Sequence, residues 1–263
     1  MVALVTICLA QDVVVDGATG GANYIVSGCG EEVPGSKATR LISLLKEIRD
    51  DLPTIHAEAN TGTSSPYGFK SFFSSNMAIT TVTSTFLKLS ELERIPINGE
   101  LKTITFVCLE PDNPETLPIY NQLIAQQPRG AGYNNFGTEI IYILPFFFKE
   151  LLRSPEPYRC PIFRRSRIPA INGDDILSSS QYGILIHELI DKYLHLDHQN
   201  DHEAYDLRDC IRLSQERQVQ NAANYDMFAA GESILLTSCS KSPKVQRSYQ
   251  GRLHGVSQVA GPI

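Results

Sequence analysis

Residues 176–196, ILSSSQYGILIHELIDKYLHL, constrain the fold more than any other stretch of the chain. Apolar residues recur there at helical spacing around most of the circumference, which predicts a largely buried helix. They stand at positions 182, 185, 186, 189, 190, 193, 194 and 196. Such a helix is stable only inside a core, so we expect a globular domain built around it.

Composition supports this expectation and excludes some classes of function. The chain has 263 residues, enough to bury a sizeable core, and 42% of them are hydrophobic. The formal net charge of −6 argues against a dedicated nucleic-acid-binding protein, which usually carries a basic excess. No apolar run approaches the roughly 18–20 residues that span a bilayer, so we expect no membrane-spanning role.

The first ten residues, MVALVTICLA, are almost wholly apolar and are followed by polar Gln11 and Asp12. This pattern is typical of a short or truncated secretory signal, although no Lys or Arg precedes it. A buried first strand is the alternative. We therefore expect a secreted protein with a folded domain at residues 11–240 and a flexible C-terminal tail at 241–263.

Five cysteines follow the predicted signal, and they are widely spaced without any CxxC pair. A four-cysteine zinc site is therefore not supported. In a secreted chain they would suit two disulfides and one remaining thiol. These residues are Cys29, Cys108, Cys160, Cys210 and Cys239.

Two helices and two strands are predicted ahead of the central segment. A helical stripe at residues 36–51 should end at Pro53, and residues 77–92 form a second, Thr-rich helix. Alternation of apolar and polar residues predicts a strand at 100–109, and residues 138–144 are expected to form a second strand after a glycine-containing loop at 130–137.

The sequence HELID lies within the predicted central helix. His187 and Asp191 stand at i and i+4, so both side chains project from one face, with Glu188 beside them. Zinc accepts both imidazole nitrogen and carboxylate oxygen. Glu188, held next to such an ion, could take a proton from an activated water and return it to a leaving amine. Taken alone, this short pattern also suits an ordinary polar helix face.

Further stretches on both sides of HELID strengthen the metal hypothesis. Residues 197–205, DHQNDHEAY, contain two histidines and several carboxylates. The stretches IIYILPFFF at 140–148 and NAANY at 221–225 accompany them. Together, over roughly residues 130–232, these features resemble the deuterolysin-type fungal zinc metalloendopeptidases, the aspzincins. The resemblance implies an α+β, helix-rich, zincin-like fold with a small sheet.

The resemblance also implies a set of site residues, with one exchange. The second histidine of the family's HExxH motif is Asp191 here, and its aspartate ligand falls on His202. The implied zinc ligands are His187, Asp191 and His202, with Glu188 as general base and Tyr205 as a donor to the oxyanion. The residues Asp201, Glu203, Asp197 and His195 remain alternative third ligands.

The implied function is a secreted, monomeric zinc metalloendopeptidase that acts on protein or peptide substrates. The alternative is a secreted zinc-binding, antigen-like or effector protein on the same scaffold without catalysis, because the HExxD change alters a ligand position. Two disulfides are also expected, one between Cys160 and Cys210 and one between Cys29 and Cys108.

Overall fold

The computed structural model describes residues 13–16, 23–64, 69–126, 130–149, 151, 180–196, 203–205 and 207–229. The predicted signal at 1–10 and the predicted tail at 241–263 lie outside these residues. Among the described helices, none is long and apolar enough to cross a membrane.

Seven described strands form two separate sheets. They are β1 (Val13–Asp16), β2 (Asn23–Ser27), β3 (Ile95–Ile97), β4 (Glu100–Lys102), β5 (Thr105–Cys108), β6 (Gly132–Asn134) and β7 (Ile140–Ile143). The larger sheet has the order β1-β2-β5-β7-β6. Strand β5 is parallel to β2 and β7, whereas β1 and β6 pair antiparallel at the two edges. The strand predicted at 138–144 is confirmed, but the loop predicted at 130–137 contains the edge strand β6.

The smaller sheet is the hairpin of β3 and β4, and it divides the strand predicted at 100–109. Asn98 and Gly99 form its turn with φ angles of 50° and 83°. A two-residue turn with both φ values positive follows the natural twist of paired strands. The predicted single strand is therefore wrong, because β4 belongs to this hairpin and β5 to the larger sheet.

Helices make up most of the remaining described structure, so the fold class is α+β, as predicted. They are α1 (Lys37–Thr61), α2 (Phe69–Phe72), α3 (Ile79–Ser90), α4 (Leu117–Gln126), α5 (Pro145–Lys149), α6 (Gln181–Leu194), α7 (Leu207–Arg212), α8 (Gln215–Gln218) and α9 (residues 222–229). The helix predicted at 77–92 is α3, preceded by a 3-10 turn at Asn76–Ala78.

Helix α1 continues through Pro53, so the predicted end at that residue is wrong. The proline is exposed, and its missing N–H affects only the solvent side of the helix. Leu52 before the proline, and Ile55 and Ala59 after it, keep the buried stripe intact. Burial of these side chains offsets the cost of the proline, which is about 3 kcal/mol in a helix interior.

Helix α6 is the central helix, and almost every one of its residues is buried. Tyr182 donates a hydrogen bond to Asp51 of α1 at 3.1 Å, and Gln181 donates to the Phe147 carbonyl of α5 at 2.6 Å. The Tyr193 hydroxyl lies 3.1 Å from that of Tyr24 on β2. These bonds fix the helix between the sheet and the other helices. The predicted helix is thus confirmed over its described residues.

An aromatic cluster closes the core on the side of α9. Tyr225 and Phe228 of α9 are fully buried. Their rings meet those of Phe73 and Phe86 at centroid distances of 5.0–6.1 Å in tilted or edge-on geometry. Such contacts hold α9 in a fixed position beside α6.

Cys29 and Cys108 form a disulfide, as predicted, and join the ends of the parallel neighbours β2 and β5. Cys210 is buried, and its thiol donates to the Ala204 carbonyl at 3.2 Å. Cys160 lies outside the described residues, so its pairing with Cys210 stays a prediction.

Candidate metal centre

His187 and Asp191 lie on one face of α6, as their spacing predicts. The Nε2 atom of His187 is 3.7 Å from Oδ2 of Asp191. Their exposed fractions are only 8% and 1%. Ser180 caps the start of α6 by accepting a hydrogen bond from the Gly183 N–H, so the pair stands well inside a regular helix. The helix therefore holds both side chains in a defined geometry.

Glu203 is the third member of the cluster. Its Oε1 lies 3.3 Å from His187 Nε2, and the three donor atoms of the cluster lie within 4.8 Å of one another. Two donors each about 2.0–2.2 Å from a tetrahedral ion stand about 3.3–3.6 Å apart. The two distances from His187 Nε2, 3.3 Å to Glu203 and 3.7 Å to Asp191, lie close to that range, so the group could hold a metal ion.

Two asparagines of the C-terminal part fix the segment that carries Glu203. Asn221 accepts from the Ala204 N–H at 2.9 Å and donates to the Ala204 carbonyl at 3.1 Å. Asn221 also donates to Asn224, which in turn donates to the Phe72 carbonyl at 2.7 Å. Because both backbone groups of Ala204 are held in this way, the neighbouring Glu203 and Tyr205 have defined positions.

Asp226 on α9 supports His187 from the other side. Its Oδ2 lies 3.0 Å from His187 Nδ1, and the residue is 8% exposed. A carboxylate oxygen accepts, so Nδ1 donates, and the other ring nitrogen, Nε2, faces Asp191 and Glu203. Sequence reasoning missed Asp226. The available signal was an acidic residue between the apolar Tyr225 and Met227 of a buried helix.

The charges around His187 are mostly negative. Burial lowers the pKa of His187, but the Asp191 charge and the hydrogen bonds to Asp226 and Glu203 outweigh it and hold that pKa well above 6.5. Burial raises the pKa of Asp226 to about 6, against the hydrogen bond from His187. To bind a metal, His187 must lose its Nε2 proton, so the neutral imidazole and the carboxylates of Asp191, Glu203 and Asp226 then carry a formal charge of −3. A divalent cation would reduce that charge to −1.

Glu188 lies against the edge strand β6. A Cβ atom built on Gly132 would stand 2.8 Å from Glu188 Oε1, so glycine is required for this approach. One turn later, Lys192 donates to the carbonyls of Asn135 and Thr138, both at 2.8 Å. Burial lowers the pKa of Lys192 to about 8, and nearby carboxylates oppose this change. Helix α6 is thereby held along β6 and its following turn.

Tyr205 lies at the entrance of the cluster. Its ring stacks on that of His187 with centroids 5.7 Å apart, and 58% of the residue is exposed. Burial of its hydroxyl and the charge of Glu203 raise its pKa. Tyr205 therefore lies beside His187, and its catalytic role stays a prediction.

The other predicted ligands differ in their placement. His202, Asp201 and Asp197 lie outside the described residues, so their part in the cluster is untested. His195 is described, and it ends α6 in the left-handed conformation with φ of 53°. It is exposed and does not belong to the cluster.

Comparison with known proteins adds no relative. No model of a known protein family matches the chain, and no curated protein is similar to it in sequence. The resemblance to the aspzincins therefore stays a prediction from motifs.

Proposed function

We propose that the protein is a secreted zinc-dependent metalloendopeptidase with a zincin-like fold. The observation that carries this proposal is the convergence of His187, Asp191 and Glu203 from two separated segments, with Asp226 behind the imidazole. A metal-ligating histidine usually donates its second ring N–H to a carboxylate in this manner. The HELID motif and the downstream residues that resemble the aspzincins support zinc as the ion.

The ligand set differs from the one that the resemblance implies. His187 and Asp191 are retained, and Glu203 rather than its neighbour His202 is the described third donor. All three atoms are of types that zinc accepts, so the residues fit the ion. A bound zinc ion would polarise the scissile carbonyl and activate a water.

Glu188 is the general base in this proposal. It follows His187 directly in the sequence, is buried and reaches β6. From there it would take the proton of the attacking water and later deliver it to the leaving amine. Tyr205, stacked on His187 and largely exposed, would donate its hydroxyl proton in a hydrogen bond to the oxyanion.

The edge strand β6 would position the substrate backbone. Among the described strands it pairs only with β7, so its outer backbone groups face away from the sheet. An extended peptide can add to such an edge by main-chain hydrogen bonds. A peptide bound there would pass Glu188, because Gly132 of β6 contacts that side chain.

A non-catalytic metal-binding protein is the second candidate, and the charge of the donor set favours it. One imidazole and two carboxylates carry two negative charges, which would cancel those of a divalent ion. Less positive charge would then remain for polarising a carbonyl. Under either candidate the Cys29–Cys108 disulfide agrees with secretion into an oxidising compartment.

The test combines metal content with peptidase activity. We expect about one zinc ion per chain, and casein cleavage that a chelator abolishes and added zinc restores. Glu188→Gln should keep the zinc and lower kcat by about 10²–10⁴-fold, the usual contribution of a general base. The exposed Glu115→Gln serves as the matched control.

Two outcomes would decide against the proposal. Stoichiometric zinc without any chelator-sensitive cleavage would favour the non-catalytic candidate. No zinc in the wild-type protein, and none after incubation with zinc salts, would reject both.

A further inference from the structure

A pocket of about 140 Å³ lies beside the candidate metal centre. Three segments form its walls: the β3–β4 hairpin, the turn between β6 and β7, and the end of α6. Asp191 belongs both to the pocket and to the metal cluster, so the two sites share a wall. A ligand in the pocket would therefore lie next to the metal centre.

Strand β6 connects the pocket with Glu188. Tyr133 packs against the hydrophobic cluster that contains Tyr142 of the neighbouring strand β7 and Leu123 of α4. Because side chains alternate along a strand, Gly132 and Asn134 share the opposite face. Gly132 meets Glu188 and Asn134 lines the pocket, and the two positions are about 7 Å apart along the strand. A peptide paired with β6 would present side chains at the same interval.

Asn134 has an unsatisfied polar atom. Its Oδ1 is buried and accepts no hydrogen bond from any described residue, and the whole residue is only 7% exposed. A buried amide without a partner is costly and therefore calls for a ligand or a water. A half-turn of the amide exchanges oxygen and nitrogen, so Asn134 can offer either an acceptor or a donor.

The other walls limit the ligand to a neutral group. Ile95, Ile97 and Phe136 supply apolar surface. The Asp191 carboxylate disfavours an anion. The Lys192 ammonium disfavours a cation and is already bonded to two carbonyls. A cavity of about 150 Å³ holds one benzene molecule, so the available volume matches one aromatic ring.

We propose that this pocket binds the side chain of a tyrosine in the substrate, next to the scissile bond. The phenyl ring lies between Ile97 and Phe136, and the hydroxyl bonds to the amide of Asn134. The position relative to the scissile bond rests on the proposed peptidase function, whereas the recognition of a phenol does not.

The first experiment uses p-cresol and toluene as probes of the ring with and without the hydroxyl. NMR titration of the full, metal-free chain should give saturable millimolar binding of p-cresol, at least about fivefold tighter than that of toluene, as one neutral hydrogen bond provides. Asn134→Leu should remove this preference, and Ile97→Trp should block both probes. Equal binding of the two probes to the wild-type protein, or binding of neither, would overturn the proposal without reliance on any variant.

A second experiment separates the pocket from the peptidase activity. Matched peptides with Tyr or Phe near the cleavage point are digested by the zinc-loaded protein, and we expect faster cleavage beside Tyr. Preferred binding of p-cresol without any cleavage would support the pocket and reject the peptidase function. Cleavage without preference for Tyr would overturn the pocket proposal and leave the peptidase function standing.

Discussion

Replacement of Asp226 should weaken metal binding although Asp226 is not itself a ligand. Its carboxylate is 3.0 Å from Nδ1 of His187 and fixes the ring so that Nε2 faces Asp191 and Glu203. Loss of such a supporting carboxylate usually lowers metal affinity 10–100-fold. That range corresponds to about 1.4–2.7 kcal/mol of binding free energy.

The two substitutions at this position should differ. In Asp226→Ala the buried Nδ1 loses its acceptor, and we expect the full reduction of about 100-fold. In Asp226→Asn the side-chain oxygen can still accept from Nδ1 without a charge, and we expect a reduction nearer to tenfold. Asp226→Ala should also lower the free energy of unfolding of the metal-free protein by about 1–3 kcal/mol, the cost of a buried unsatisfied group.

Competition with a chromogenic zinc chelator measures the affinities, and the exposed Asp112→Asn is the control. Circular dichroism establishes that each variant is folded at the assay temperature. If folded Asp226→Ala bound zinc within about twofold of the wild-type affinity, His187 would not need its carboxylate partner. That result would show that the Asp226 carboxylate does not orient the imidazole ring for metal binding.

Three further changes test the fold and the placement of the general base. Reduction and alkylation of Cys29 and Cys108 should lower the free energy of unfolding by about 4.5 kcal/mol, because the crosslink closes a loop of 79 residues. A loss below about 1 kcal/mol in guanidinium titrations would contradict this. Burial raises the pKa of Tyr24 above its usual value of about 10. Just above pH 10 the Tyr24 hydroxyl therefore loses its proton only in the unfolded chain, and the free energy of unfolding falls as the pH rises further. Tyr24→Phe should flatten this decline in urea titrations, and an unchanged slope would show that Tyr24 does not contribute. Gly132→Ala should displace Glu188 and reduce kcat about 100-fold while zinc affinity stays within a few-fold, and full activity would disprove the close contact.

The central helix could be predicted because its apolar residues recur with a helical period, whereas the fold class followed from the resemblance to a known family. The apolar stripe of α6 repeats over several turns of the helix. The helix end predicted at Pro53 is wrong because the burial of Ile55 and Ala59 outweighs the low helix propensity of proline. The short strand β6 was missed because GYN carries no alternation of its own and becomes a strand only by pairing with β7.

The candidate site was predictable where one element supplies the residues. His187 and Asp191 follow from helical spacing alone. The third donor lies on a loop, where no periodicity in the sequence indicates which of several adjacent side chains points toward the cluster. The described donor is Glu203. Asp226 could not be linked to His187 because the contact joins residues 39 positions apart through the packing of α9.

The central claim is that a zinc ion binds between His187, Asp191 and Glu203. Anomalous diffraction from zinc-loaded crystals, recorded on both sides of the zinc absorption edge, tests it most directly. We expect one strong peak at about 2.0–2.2 Å from His187 Nε2 and from one oxygen of each carboxylate. A fully loaded crystal with its peak elsewhere, or without His187 among the ligands, would contradict the account.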